Sequence, residues 1–474
     1  MFFVLANLVG LDRSPVMWPD EVWLNDPAKE LALHGVLRSS VFAGQDGFDR
    51  AYYWQPPGQA LVTALVYKAV GFGIWQTRVP VVILAAGVLV ALFFLARRLV
   101  GDKLAALWAA VFLALDPKFV QSARGGRMDA QCLLLVIIGL ILFLRAEDAA
   151  KEGIWLRHYG LLGLTGLFVG LGGMTHPIAV EWAIAMGCLV LFQAKRRFTS
   201  LVVVAGAAAV PALVWVLVAY FRSEISLLAE QFLSHGVGHL ASGSPLQRLT
   251  TEAAQLASHY ELAPFLLLTY IVAAIWLLAD RSLKTETRVR VTVLLATTFL
   301  FNGFFMAKGL GFYFLHPVVV LAVCGGWFAS AGFRRPVTET HPWRRRVPQG
   351  LIMLALLNAA AGGIVGRYVT LAFQWHARDY SQIENVVRTT IPPGSVVWGA
   401  AEAWYAVDGL GSSLRLLGEP DPTVDSFMIV RPGDATRFAS KAKLLARCGQ
   451  PLPPVFGRFR RPSADYVLEI WTWR

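Results

Sequence analysis

Ten apolar stretches of about 20 residues recur along the chain, at 78–97, 104–123, 129–146, 159–175, 177–193, 199–220, 262–279, 291–307, 312–331 and 348–373. A helix rising about 1.5 Å per residue crosses roughly 30 Å of hydrocarbon in that length. Residues 2–11 (FFVLANLVGL) read as the last half of a further span, giving about 11 transmembrane helices. No small-residue cleavage site closes this first stretch, so no signal peptide is expected. The fold class is therefore an α-helical polytopic membrane protein. With 56% apolar and only 16% charged residues, a chain built mainly of soluble domains is excluded.

The net charge of +12 does not point to nucleic acid. A nucleic-acid binder presents a contiguous basic surface, whereas here Arg and Lys fall in short clusters between apolar runs. The alternate connections ARRLVGDK, RAEDAAKEGIWLR, AKRRF, DRSLKTETRVR and GFRRPVTETHPWRRR together hold 18 Lys and Arg. The positive-inside rule makes this set cytoplasmic. The loop 12–77, the loop 221–261 and the C-terminal segment then face outward. Within the first loop, the run from Pro56 to Trp75 has helical apolar spacing interrupted by Lys68. We expect it to be an interfacial helix along the outer leaflet.

After residue 373 the composition changes. DYSQIENVVRTTI reads as an amphipathic helix ended by PPGS. VVWGA, LRLLG, SFMIVRP and DYVLEIW read as strands, and ATRFASKAKLLARC as a helix between them. The expected domains are a transmembrane unit, 1–373, and a small soluble α/β domain, 374–474, outside the membrane. The latter has no glycine-rich phosphate loop. Cys132, Cys188 and Cys324 lie in apolar segments and Cys448 stands apart, so neither a disulfide framework nor a thiolate metal site is expected.

The polar residues of the outward face carry the candidate chemistry. MWPDEVW sets Asp20 and Glu21 among aromatic residues and a proline. SARGGRMDA puts Arg124, Arg127 and Asp129 at a junction of two spans. MTHP adds His176, and MAKGLGFYFLHP adds Lys308, Tyr313 and His316. Ionisable groups at the edge of a bilayer are costly unless they pair or line a wet cavity. Guanidiniums and an ammonium suit a phosphate, although arginines also snorkel to headgroups. Tyr53, Trp54 and Gln55 in YYWQPPG offer an aromatic wall with a hydrogen-bonding amide. His176 and His316 each precede a proline at a span start, where a histidine also satisfies helix-end groups. Asp116-Pro117 marks a kink, and Glu181 calls for a basic partner.

PDE soon after the first apolar stretch, YYWQPPG, RVP, DPKFVQSARGGRMD, GLGGMTHP and AKGLGFY…HP occur in this order over about residues 5–330. The chain thereby resembles the polytopic GT-C glycosyltransferases, specifically the branch of protein O-mannosyltransferases and lipid A aminoarabinose transferases. The resemblance implies inverting transfer of a single sugar from a polyprenyl-phosphate carrier to a lipid, glycan or protein acceptor. It places the enzyme in the inner membrane of a bacterium, with its active site on the outer face. It makes Asp20 the general base and Glu21 its helper or an acceptor contact. Arg124, Arg127, Lys308 and Tyr313 would hold the donor phosphate, with Asp129, His176 and His316 in support. His176 stands where the aminoarabinose transferases typically carry a lysine. The resemblance leaves open a divalent metal, Mg or Mn, for which Asp20, Glu21 and Asp129 offer oxygen ligands without forming a complete set.

Three other readings fit parts of this pattern. A transporter or flippase for a lipid-linked or anionic solute calls for polar, broken helices near the midplane and an internal repeat; the charges instead crowd one face. An oligosaccharide ligase or polymerase shares the chemistry. A non-catalytic assembly subunit would leave Asp20 without a task.

Overall fold

The computed structural model describes all residues except 195, 237–243, 307–312, 335–342, 417, 454–466 and 474. Each of the ten apolar stretches carries a helix. The chain opens with α1 (Phe2–Leu8), α2 (Pro19–His34) and α3 (Gly58–Val70). There follow α4 (Ile74–Val100), α5 (Lys103–Leu115), α6 (Pro117–Ser122), α7 (Asp129–Lys151), α8 (Trp155–Gly173), α9 (Val180–Gln193) and α10 (Arg197–Phe221). The second half holds α11 (Ile225–Gly236), α12 (Pro245–His259), α13 (Pro264–Ala279), α14 (Thr285–Phe301), α15 (Leu315–Arg334), α16 (Trp343–Ala359) and α17 (Gly366–Phe373). Among the described residues, five helical stretches are long and apolar enough to cross a membrane: α4, α7, α10, α15 and Arg346–Phe373.

Apolar side chains that face lipid gain nothing by pairing with each other, so close helix contacts in such a bundle rest on small residues. At the α8–α10 crossing, a Cβ on Gly166 would sit 2.1 Å from the Val204 carbonyl, and one on Gly170 would sit 2.3 Å from that of Ala208. Only 6% of the apolar window of α10 is buried, as suits a helix with most of its surface turned outward. Asp116 does more than kink a span. Its carboxylate accepts from the Lys118 and Phe119 amides at 2.9 and 3.1 Å, ending α5 and capping α6. Tyr260 donates to its other oxygen at 2.7 Å.

Two loops hold structure that hydropathy does not signal. The 12–77 loop contains α2, besides the expected helix at α3. The 221–261 loop contains the amphipathic helices α11 and α12.

The C-terminal segment forms α18 (Ser381–Thr390), β1 (Val396–Gly399), α19 (Trp404–Asp408), β2 (Ser413–Arg415), β3 (Phe427–Val430), α20 (Pro432–Ala435), β4 (Ala442–Cys448) and β5 (Leu468–Trp473). The sheet order is β2-β1-β3-β5-β4. β1 pairs parallel with β2 and β3, while β5 pairs antiparallel with β3 and β4. The expected helix ATRFASKAKLLARC is corrected: only α20 precedes it, and Ala442–Cys448 is a strand. Good helix formers are overridden there by burial at a period of two. Ala442 and Cys448 are buried while Lys443, Leu445 and Arg447 are exposed. This unit shares one apolar core with the first loop. Val16, Met17, Val22, Phe42 and Phe48 cluster with Ile383, Val387, Trp404 and Ile429.

Candidate active site

The site is built from the start of α2. Trp18 caps the helix in an extended conformation and Pro19 takes its first position, where a fixed φ and a missing N–H cost nothing. Asp20 and Glu21 therefore fall in the first turn, where the helix dipole favours negative charge. The two carboxylates then part. Glu21 is fully buried and accepts from Arg78 Nε and Nη2, both at 2.8 Å. Arg78 also donates to the Leu11 and Pro15 carbonyls at 2.6 and 2.9 Å. Glu21, expected as a helper of Asp20 or an acceptor contact, is thus held in a buried pair with Arg78. Asp20 keeps its side chain 30% exposed.

The Gly125-Gly126 turn brings the second half of the site to the first. Gly126 has φ +63°, and a Cβ there would come within 3.1 Å of the Glu21 side chain and 3.0 Å of Thr77. Its carbonyl accepts from Asn25 of α2 at 2.8 Å and from Gln59 of α3 at 3.0 Å. The next residue, Arg127, is buried against the face of Trp18, 5.3 Å from the ring centre. It donates through Nη1 to Asp20 and through Nε to Asp129 at 2.8 Å. Burial works against its charge, but the carboxylates of Asp129 and Asp20 outweigh this and hold the guanidinium above its ordinary value. The other Asp129 oxygen lies 4.0 Å from His176 Nε2, and the His176 ring meets Tyr313 edge-on at 5.7 Å. His176 Nδ1 accepts from the Ile178 amide at 3.1 Å, so this histidine also caps a helical turn. Asp20, Arg127, Asp129, His176 and Tyr313 thus form one cluster.

The remaining candidates lie elsewhere. The Arg124 guanidinium donates to the carbonyls of Asn7, Val9, Gly10 and Ser14, closing the end of α1. Buried on these acceptors, it is a structural clip and does not present a phosphate site. His316 is fully buried with Glu181, Nδ1 to Oε1 2.9 Å, and accepts from Trp182 Nε1 at 2.7 Å. Glu181 accepts instead from Asn302 Nδ2 at 2.9 Å through its other oxygen. Tyr53 turns from the carboxylates to Glu224, donating at 2.6 Å, and to Trp215. Trp54 packs on Trp23 with ring centres 5.4 Å apart, and the buried Gln55 Oε1 accepts no hydrogen bond among the described residues. Lys308 lies outside the described residues.

Sequence reasoning missed Arg78 as the partner of Glu21, although an arginine at the mouth of an apolar span was a usable signal. It also missed Tyr405, whose hydroxyl donates to Thr77 at 2.8 Å. The donor set does not suit a divalent metal. Asp20 and Asp129 converge on a guanidinium, Glu21 is held by another, and no group of three or more His, Cys, Asp or Glu among the described residues is placed to hold one.

Residues 54–221 match the family model described as dolichyl-phosphate-mannose-protein mannosyltransferase. No curated protein matches by sequence. The architecture superposes on ArnT from Cupriavidus metallidurans bound to undecaprenyl phosphate, with a TM-score of 0.64 at 14% identity, covering 99% of this chain and 96% of that one. The chain carries the GT-C fold. The same fold appears in the oligosaccharyltransferase AglB from Archaeoglobus fulgidus, in complex with an inhibitory peptide and a dolichol-phosphate. There the TM-score is 0.53 at 12% identity, over 90% of this chain and 69% of that one. The GT-C likeness thus extends over both the helical bundle and the small C-terminal sheet, while the family match by sequence is confined to the stretch from Trp54 to Phe221.

Proposed function

We propose that the chain is an inverting glycosyltransferase of the outer face of a bacterial inner membrane. It moves one sugar from a polyprenyl-phosphate carrier to a hydroxyl of a lipid, glycan or protein acceptor. The observation that carries this reading is the division of labour in the acidic pair: Glu21 is locked on Arg78, while Asp20 remains partly exposed. Asp20 Oδ2 takes the Arg127 bond, and among the described residues nothing bonds to Oδ1.

In the reaction, the acceptor hydroxyl donates to Asp20 and loses its proton as its oxygen attacks the anomeric carbon. The bond from that carbon to the carrier phosphate breaks on the opposite side, and its electron pair leaves with the phosphate. Configuration is inverted. Arg127 holds Asp20 in place and, across its far edge, stabilises the charge growing on the phosphate, with Tyr313 beside it; a share of that charge is assigned to Lys308 from the sequence alone. Asp129 orients Arg127. The basic connections lie in the cytoplasm, and the C-terminal sheet sits outside the membrane over the carboxylates.

The test is mass spectrometry of membrane lipids and surface glycans from cells lacking the chain, with and without its return. Loss and recovery of one specific pentose, hexose or amino sugar is expected. Unchanged profiles, with accumulation of no sugar-charged carrier, contradict the reading.

A further inference from the structure

β1 of the C-terminal sheet has parallel neighbours on both sides, β2 on one and β3 on the other. Between β1 and β3 the winding of the chain reverses direction. In open α/β sheets this leaves a crevice beyond the carboxyl ends of the strands, where ligands bind. A cavity of about 320 Å³ occupies this place. It lies within the range of roughly 300–1,000 Å³ found for small-molecule sites. Gly399 at the end of β1 lines it, and a Cβ there would strike the Ile429 carbonyl of β3 at 1.8 Å. The far wall comes from α2, so the crevice lies between the sheet and the helix that carries Asp20.

The chemistry of the wall is specific. Pro19, Trp23, Trp398, Glu402, Arg431 and Phe438 line it. Trp398 and Phe438 meet edge-on, 5.7 Å between centres. Glu402 is 1% exposed; its Oε1 accepts from Arg431 Nε at 3.1 Å, and among the described residues its Oε2 has no hydrogen-bond partner. Trp23 Nε1 is buried and likewise without a partner. A buried donor and a buried acceptor left unmet cost free energy, and the residues that carry them both line the same cavity. The charges that line it balance, the carboxylates of Glu402 and Asp434 against the guanidiniums of Arg431 and Arg437. The turn after β1, AAEAW, has no glycine-rich loop to receive a phosphate. Indole rings, an N–H donor and two carboxylates balanced by two guanidiniums suit a ring that bears hydroxyl groups.

We propose that this crevice binds a neutral saccharide, one of whose hydroxyls accepts from Trp23 Nε1 while another donates to Glu402 Oε2. Pro19 lines the crevice and Asp20 is the next residue. On the catalytic reading given above, on which this step rests, the bound saccharide is therefore part of the acceptor. The C-terminal sheet then serves to select a glycan-bearing acceptor and to deliver it to the base.

The test is saturation-transfer NMR on the full-length protein in lipid nanodiscs. The probes are methyl glycosides of glucose, galactose, mannose and N-acetylglucosamine. At least one should give a saturable signal. Glu402→Gln should weaken it about tenfold and Trp23→Phe, which removes the N–H together with the five-membered ring, about fivefold. Asp20→Asn should leave it unchanged. Equal gel-filtration profiles and melting temperatures establish that the variants fold. No signal with any glycoside, or one indifferent to both Glu402→Gln and Trp23→Phe, overturns the site. If Asp20→Asn retains turnover while binding still follows Glu402, the saccharide site stands and the catalytic reading fails.

Discussion

Arg78 and Glu21 form a two-bond pair, Nε and Nη2 each 2.8 Å from a carboxylate oxygen, with side chains 1% and 0% exposed. Removing one member strands the other as a buried charge. Arg78→Ala or Glu21→Ala is predicted to destabilise the protein by about 3–5 kcal/mol, whereas the double replacement Arg78→Met with Glu21→Leu should cost much less. Denaturant titration in detergent measures both.

Tyr405 ties the C-terminal sheet to this pair. Its hydroxyl donates to Thr77, which Tyr67 also reaches at 2.6 Å. Tyr405→Phe should cost about 1 kcal/mol. Hydrogen exchange should rise at residues 74–80 and 404–408 without a change in the rest of the bundle.

Arg124 and Arg127 are separated by two residues and do different work. Arg124→Ala is predicted to lower the melting temperature and loosen residues 2–14, with carrier affinity near normal in the surviving fold. Arg127→Ala should weaken carrier binding at least tenfold and cut turnover further, because Asp20 loses its anchor. Thermal unfolding and carrier titration, run on both variants, separate the two.

Burial, with the charges of Asp129 and Asp20 set against the Arg127 guanidinium, pushes the Tyr313 phenol from 10.0 up to about 12. In the unfolded chain the phenol ionises first, so the folded state holds its proton longer. Its contribution is fully present below pH 10 and is lost as pH rises toward 12. Wild type should therefore lose stability relative to Tyr313→Phe over that window, as read by unfolding at stepped pH.

The helical bundle was legible because hydrocarbon imposes one simple rule, an apolar run of fixed length, and each of the ten runs carries a helix. The convergence of Asp20 with Arg127 and Asp129 was suggested by motif order. The partner of Glu21 was overlooked because Arg78 opens an apolar run, and its position at the mouth of a span does not say which carboxylate it meets. Arg124 looked like its neighbour Arg127, yet its task is decided by the carbonyls at the end of α1, which hydropathy does not reveal. β4 was read as a helix because SKAKLLAR favours one locally, and only pairing with β5 reverses that preference. The shared core of the first loop and the C-terminal sheet joins residues some 400 positions apart, from Val16 to Ile429, and no local pattern announces it.

The central claim is that Asp20 is the base. Single-turnover sugar transfer by the purified Asp20→Asn variant, with carrier binding measured on the same preparation, tests it most directly. The account predicts a loss of turnover of about 10²–10⁴-fold with carrier affinity within a few-fold of wild type. Near-normal turnover in that variant would contradict it.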